Sequence, residues 1–598
     1  MEIRDVPSAM AERISALIVW LFEPGTVMCP ESLLFFDTAF IIKFSLTCSR
    51  VIFNQLFFCY YMFMAKYAIV HVENTQGVVE FAEFLRDSGW KILSAGKTEQ
   101  LLEKHRIPVI HEVALEEKIF YIQDTAHLVQ RVLLARADSE PDPDFPDAKD
   151  DTIPLLCMNL IPFLDPDHKN HRFQSMPVMT SNFLISTILK NSFNNFENLL
   201  ILTDPADYKD AMVHITTDHI KKEFRLYLAA KALNMVAAFD GGVASSVLRS
   251  APYNEKFLNF ITFPFHREMD LHQGMNPQQK ASLYRTPVDI GALNGFSKLS
   301  GKDISYIMTA DATFAWDQIN MLYSVLRNQY NVKTENKDGY PFTTQFTPLT
   351  GSVFTIAVKM SNILGAGLST SVLDSFRKTY VYDTQNITDA AFACSAVIDA
   401  PAAREIVSCN FSVLIAPDFT AEAKKILSEN KKMNLIVSGK SNEIRVDGKL
   451  MNGGILLQEK DSALFSHWKI RTKNRPSQMI ADEMALGTKI VMSTRSYSDI
   501  LIKNNAIVGI SQGARSEIEA LEHVLSDAQR NRADDESLAD VLVCDSPVPF
   551  CEQITKLIDS GVAAIIQPGG TPSDGQLAEY CDEKNVVMVF TDMTHINF

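Results

Sequence analysis

The residues best suited to chemistry in this 598-residue chain lie where apolar runs end. Trp90–Leu93 is followed by Ser94-Ala95-Gly96-Lys97-Thr98, two hydroxyls, a glycine and an ammonium at a point where a strand hands over to a helix. A helix start offers unpaired backbone N–H groups and the positive end of a dipole, so such a turn suits a phosphate or carboxylate. The same five residues also read as an ordinary strand-to-helix turn. A second turn, Glu73-Asn74-Thr75-Gln76-Gly77, follows the run Tyr67–Val72 and places a carboxylate where an anion would want a cation. Lys302 and Asp418 read as ligand contacts or as solvated surface charges, and Lys190 as a site lysine or a surface lysine at a helix end.

Other chemistries find little support. The thirteen histidines show no metal-ligand spacing, His168 and His171 included, so no metal site is expected. None of the nine cysteines sits in a C-x-x-C, which argues against a zinc ribbon or a disulfide framework and fits a reducing compartment. A nucleophile elbow is missing too. Fifty-six Lys and Arg against seventy-two Asp and Glu leave a formal charge of −16, which disfavours nonspecific attraction to nucleic acid or anionic membrane. A local pocket can still oppose that field and hold a small anion. With 46% hydrophobic and 21% charged residues the chain has globular composition, and its length suggests about three or four packing units.

These side chains must be positioned by an alternating α/β chain. Tyr67–Val72 and Trp90–Leu93 predict strands, and Val78–Leu85 an amphipathic helix with Thr75 as its cap. Strand, loop and helix in alternation predict a parallel sheet with ligands at the carboxyl ends of its strands. Asp138–Asp151 reads as a surface loop, Leu199–Thr203 as a strand, 216–250 as helices and Ala251–Asp270 as a passage to a second domain. Phe411–Ile415, Gly454–Gln458, Val562–Ile566 and Val586–Phe590 predict further strands, and Ile500–Ile510 a hairpin turning at Lys503-Asn504-Asn505. The stretches 270–440 and 450–598 look like comparable units without a clean sequence repeat. Residues 1–63 differ in texture: their apolar pieces are interrupted by Asp37, Lys43 and Arg50 and fall short of the ~20 residues a spanning helix needs. They read as an extension outside the folded body, with Met64 its functional beginning and a membrane anchor the alternative.

Six segments in order carry a resemblance. They are Leu202–Tyr208 (LTDPADY), Gly274–Pro277 (GMNP), Leu299–Tyr306 (LSGKDISY), Ile415–Phe419 (IAPDF), Gly453–Gln458 (GGILLQ) and Ala564–Gly570 (AIIQPGG). Over residues 64–598 the chain resembles the bifunctional purine biosynthesis protein family, which joins AICAR formyltransferase to IMP cyclohydrolase. The resemblance implies a methylglyoxal-synthase-like α/β domain over 64–262, which in the family closes the purine ring. It implies two cytidine-deaminase-like α/β subdomains, 270–440 and 450–598, which transfer a formyl group from 10-formyltetrahydrofolate as cosubstrate. The family binds no zinc for this, in keeping with the absence here of H-x-E with P-C-x-x-C. It further implies AICAR- and IMP-like nucleotides and a reduced folate as partners, no resident cofactor, an intertwined homodimer and a cytoplasmic location. The substrate-binding positions it assigns are Ser94, Gly96, Lys97, Thr98, Gly274, Asn276, Pro277, Lys302, Ser305, Tyr306, Gly569 and Gly570.

The catalytic positions depart from the family pattern. Formyl transfer to a weak amine nucleophile needs a general base and a donor to the developing oxyanion. The family's Lys-His pair aligns, through Pro348, with Thr344 and Gln345. An amide cannot exchange a proton near neutral pH, and loss of a general base typically costs about 10²–10⁴-fold. The phosphate-binding arginine aligns with His272, a histidine with Gln278, and an Asn-Asn pair with Ile307-Met308. Arg495-Ser496-Tyr497 replaces K-S-N, and Ser516-Glu517 replaces Ser-Arg. In the first domain the ring-closing aspartate aligns with Val178 and a tyrosine with Ile161, whereas the family lysine survives as Lys190. Two readings follow: an enzyme of the last two steps of IMP synthesis, or a pseudoenzyme that keeps the fold as a binding or assembly subunit.

Overall fold

The computed structural model describes residues 66–112, 115, 128–129, 132–133, 153–160, 176–217, 219–250, 257–286, 291–326, 330–335, 341–346, 351–439, 446–530 and 537–598. The expectations for residues 1–63, Met64, Asp138–Asp151, Ile161, His168 and His171 lie outside the described residues. These divide into two compact units, with the cut between Asn234 and Met235.

The first unit is built on a five-stranded, wholly parallel sheet of order β3-β2-β1-β4-β5. Its strands are β1 (Lys66–His71), β2 (Trp90–Ser94), β3 (Val109–His111), β4 (Leu155–Met158) and β5 (Leu200–Leu202). Every residue of β4 and β5 is buried, as expected of a sheet covered on both faces. Four helices accompany it, α1 (Val78–Asp87), α2 (Gly96–Lys104), α3 (Met176–Ser192) and α4 (Tyr208–Thr216), with the first part of α5 (Lys222–Ser250), inside which the cut falls. Helix α1 buries Val78, Phe81, Ala82 and Leu85, the spacing of one helical face. Its cap differs from expectation. Gly77, at φ 69°, precedes the helix, and Thr75 contributes only its carbonyl, to the Val78 N–H. A left-handed residue is needed there, and glycine adopts it without cost.

In the second unit a 14-stranded mixed sheet dominates the described residues, in the order β10-β9-β18-β23-β22-β21-β19-β20-β12-β11-β13-β14-β15-β8. Two hairpins stand apart from it: β6 (His266–Leu271) with β7 (Ala281–Arg285), and β16 (Val446–Met451) with β17 (Gly454–Glu459). The passage expected over Ala251–Asp270 therefore already contains strand β6 from His266 onward, pairing with β7. Strand β8 (Phe296–Ser300) closes one end of the long sheet. At the other end stand β9 (Tyr330–Glu335), β10 (Pro341–Phe346) and β18 (Trp468–Ile470).

Between these ends one pattern occurs twice. The first copy runs α6 (Tyr306–Leu326), β11 (Val353–Lys359), β12 (Asn362–Ser369), α7 (Val372–Val381), β13 (Ala391–Cys394), α8 (Ala400–Ile406), β14 (Val413–Ala416), α9 (Ala421–Leu427), β15 (Asn434–Ser438). The second runs α10 (Gln478–Val491), β19 (Asp499–Lys503), β20 (Ala506–Ser511), α11 (Glu517–Gln529), β21 (Ala539–Cys544), α12 (Glu552–Asp559), β22 (Val562–Gln567), α13 (Asp574–Glu583), β23 (Val587–Phe590). Both hairpins slip register at the same place, after the pairs Ala357↔Gly365 and Leu501↔Gly509. Each glycine lies under a helix: a Cβ on Gly365 would stand 2.4 Å from the Thr379 carbonyl oxygen, and one on Gly509 2.8 Å from Ala528 Cβ.

The copies meet edge to edge at β12 and β20, where Gly367 pairs with Ala506. One sheet face shares a single apolar core, in which Ile319, Phe354 and Ile356 join Met484, Ile500, Val541 and Ile566. On the opposite face each copy has its own core, around Phe376, Phe392 and Phe411 in one and Leu501, Leu521 and Leu542 in the other. No helix among the described residues is long and apolar enough to cross a membrane.

Candidate functional site

At the carboxyl edge of the five-stranded sheet, the turn flagged in sequence opens helix α2 directly, with Ala95 as its N-cap. Its hydroxyls are already engaged. Ser94 Oγ, fully buried, donates to the Val70 carbonyl at 2.6 Å. Thr98 Oγ1 donates to the Val72 carbonyl at 2.8 Å and accepts the Val72 N–H at 3.0 Å. These bonds tie α2 to the end of β1, leaving only backbone donors and the exposed Lys97 toward solvent. Lys97 Nζ stands 4.0 Å from Glu73 Oε2, so the structure brings the two flagged turns together as cation and anion. The second turn is held by Asn159, whose Oδ1 accepts the N–H groups of Glu73 at 2.7 Å and Asn74 at 3.2 Å. Lys190 is exposed in the last turn of α3, and Val178 falls in the same helix.

In the second unit the GMNP turn and the start of α6 are adjacent. The His272 N–H donates to the Ile304 carbonyl and the Tyr306 N–H to the Gln273 carbonyl, each at 3.0 Å. Gly274, Asn276 and Pro277 form a turn closed on Gln279: its carbonyl accepts the Gly274 N–H at 2.8 Å, and its Oε1 accepts the Asn276 N–H at 3.0 Å. Ser305 caps α6, its Oγ accepting the Met308 N–H at 3.3 Å, and Tyr306 is exposed. The Lys302 side chain is exposed, and its carbonyl accepts a hydrogen bond from Lys298 Nζ. Asp418 pairs with Lys424 at 2.9 Å, which with the Phe419 N–H holds its carboxyl below the usual range; it is a surface ion pair.

Gly569 and Gly570 follow β22 in a loop that could have cradled an anion, and a carboxylate of the chain itself fills it. Asp574 accepts the Gly570 N–H at 2.7 Å, the Thr571 N–H at 3.2 Å and Thr571 Oγ1 at 2.5 Å. Thr344 and Gln345 lie on β10, at the outer edge of the long sheet, opposite Val332 and Asn331 of β9.

Sequence reasoning passed over three polar groupings, each with at least one buried carboxylate. Lys231 bridges Asp204 at 2.8 Å and Asp207 at 2.6 Å, offsetting the burial that pushes the Asp207 carboxyl up. Asp545, wholly buried, accepts Ser496 Oγ at 2.5 Å and the Ser498 N–H at 3.0 Å, while burial raises its pKa. Glu483 of α10 and Asp540 of β21 both accept backbone donors of the β19–β20 turn. An acid inside a helix reads in sequence as a solvated face, and only the packing distinguishes these. No group of three or more His, Cys, Asp or Glu among the described residues could hold a metal ion.

The family model for the AICARFT/IMPCHase bienzyme matches residues 192–527, more than half of the chain. The chain belongs to that family. Within it, the bifunctional purine biosynthesis protein PurH of Clostridium acetobutylicum is 28% identical over 538 residues, covering 89% of this chain and 99% of the relative. PurH of Petrotoga mobilis is 26% identical over the same span and coverage. The alternating α/β architecture expected of the family is present in both units.

Proposed function

We propose that this chain is a pseudoenzyme of the AICARFT/IMPCHase family: a scaffold that binds or assembles and whose two catalytic centres are weak or silent. What carries the reading is the pair Thr344-Gln345 on β10, which the family resemblance aligns with a cation and a general base. Neither side chain can take a proton from an attacking amine near neutral pH. The anion-binding turns support it. Ser94 and Thr98 spend their hydroxyls on the sheet backbone, Lys97 faces Glu73, and Asp574 occupies the Gly570 donors.

In this reading the first unit is the methylglyoxal-synthase-like domain and the duplicated second unit the two cytidine-deaminase-like subdomains. The protein is a cytoplasmic homodimer without a resident cofactor. A second reading is favoured by the match to 99% of the relatives' length: an enzyme that formylates AICAR with 10-formyltetrahydrofolate and closes the ring to IMP.

The test is direct assay of the purified full chain for both steps, with thermal shift against AICAR, IMP and a reduced folate. A ligand at 100 times its Kd adds about 2.7 kcal/mol of stability. Absence of turnover is expected; turnover at either step removes the pseudoenzyme reading. Strictly monomeric solution mass would remove the dimer.

A further inference from the structure

The hairpin joining β19 to β20 turns at Asn504 and Asn505, with φ of 53° and 58°. Such a turn points two successive N–H groups to one side, and here both meet carboxylates. Asn504 N–H donates to Asp540 Oδ2 at 2.9 Å and Asn505 N–H to Glu483 Oε1 at 2.7 Å. The turn's carbonyls face the other copy of the repeat. The Asn504 carbonyl accepts from Lys378 Nζ of α7 at 2.7 Å, and the Asn505 carbonyl from the Leu368 N–H of β12 at 2.9 Å. This turn is therefore where the second copy grips the first, beside the Gly367↔Ala506 pair.

Glu483 is fully buried, and its second oxygen, Oε2, has no donor. Asp540 acts on it as a like charge. An ionised Glu483 is therefore costly, because it is short of water and faces a like charge. The remaining charges near Glu483 are few. Lys378, from α7, favours its ionised form. Lys503, on β19, directs its ammonium to the Ser537 carbonyl at 2.9 Å, and Asp482, the next acid on α10, is bonded to Gln478.

We propose that Glu483, beside Asp540, carries a proton while the Asn504–Asn505 turn is latched onto β12, and that the latch loosens when that proton leaves to solvent. Burial, reinforced by Asp540, pushes the Glu483 carboxyl up to about 7 against the pull of the Asn505 N–H and Lys378. A carboxyl raised in the closed form binds more protons closed than open. The closed turn is thus most stable below the ordinary glutamate range and loses stability as pH rises toward 7.

The experiment is amide hydrogen exchange of Asn504, Asn505 and Ala506 in the full-length protein from pH 5 to 8.5, corrected for intrinsic rates. The native profile should lose protection by about tenfold per pH unit between pH 5 and 7 and level off above. Glu483→Gln keeps an acceptor for Asn505 without a titrating proton, so its profile should be flat. Asp540→Asn removes the opposing charge and should shrink the response. A flat native profile overturns the proposal, and it needs no variant to fold. A Glu483→Gln profile as steep as the native one overturns it equally.

Discussion

Asp311 and Glu483 hold corresponding hairpin turns in the two copies of the repeat, each from the sixth position of its helix. Asp311 does the work alone: Oδ2 accepts the Met360 N–H and Oδ1 the Ser361 N–H, both at 2.8 Å. In the other copy Glu483 shares the task with Asp540. Hydrogen bonds to a charged group contribute about 1.5–3 kcal/mol each. Asp311→Ala should therefore destabilise the protein by roughly 3 kcal/mol, and Asp311→Asn, with one acceptor left, by about half of that. Denaturant midpoints of the three proteins check the order.

The two turns differ in their residues. Met360 and Ser361 sit at φ 53° and 60°, a region where asparagine or glycine is at ease and other side chains are not. Met360 is 56% exposed and has little packing to lose. Met360→Gly should raise stability by about 1 kcal/mol, read as a higher denaturant midpoint with unchanged slope.

Asp499 stands on β19 opposite Ser511 on one side and Cys544 on the other, almost wholly buried, with Oδ2 lacking a donor. Burial pushes its carboxyl up to about 8; the Cys544 hydrogen bond opposes this, and Asp545 and Glu517 add to it. An acid raised in the native state costs stability as pH climbs from the unfolded acid's range through about 8. Asp499→Asn should raise the melting temperature more at pH 8.5 than at pH 5, and least near pH 3. Equal effects at both pH values would show that Asp499 does not titrate there.

If Thr344 and Gln345 are the lost cation and base, restoring them should restore chemistry. Thr344→Lys with Gln345→His should raise formyl transfer to AICAR by about 10²-fold or more over the native chain. Isotope transfer from formyl-labelled folate measures it. No gain would place the deficit elsewhere, with His272 and Ile307-Met308 next in line.

Local elements were largely legible. Short apolar runs marked β1 and β22, a period-3.6 pattern marked α1, and Asn504-Asn505 marked its hairpin, because those signals depend on neighbours a few residues away. The duplication was legible only as two comparable units without a sequence repeat, since Gly365 and Gly509 share a requirement for closeness to a helix while their flanking residues differ. At the candidate site the turns were legible and their hydrogen bonding was not. Ser94 and Thr98 look like anion ligands in a string of letters, and only the path of β1 shows their hydroxyls consumed by Val70 and Val72. Likewise nothing in the spacing of Asp574 from Gly570 says that one will occupy the other.

The join between the copies is thin in backbone pairing and thick in shared apolar side chains beneath it. Apolar burial weakens on cooling, whereas hydrogen-bonded ladders do not depend on it in the same way. Chilling is therefore expected to weaken the midline of the long sheet, the boundary between the two copies.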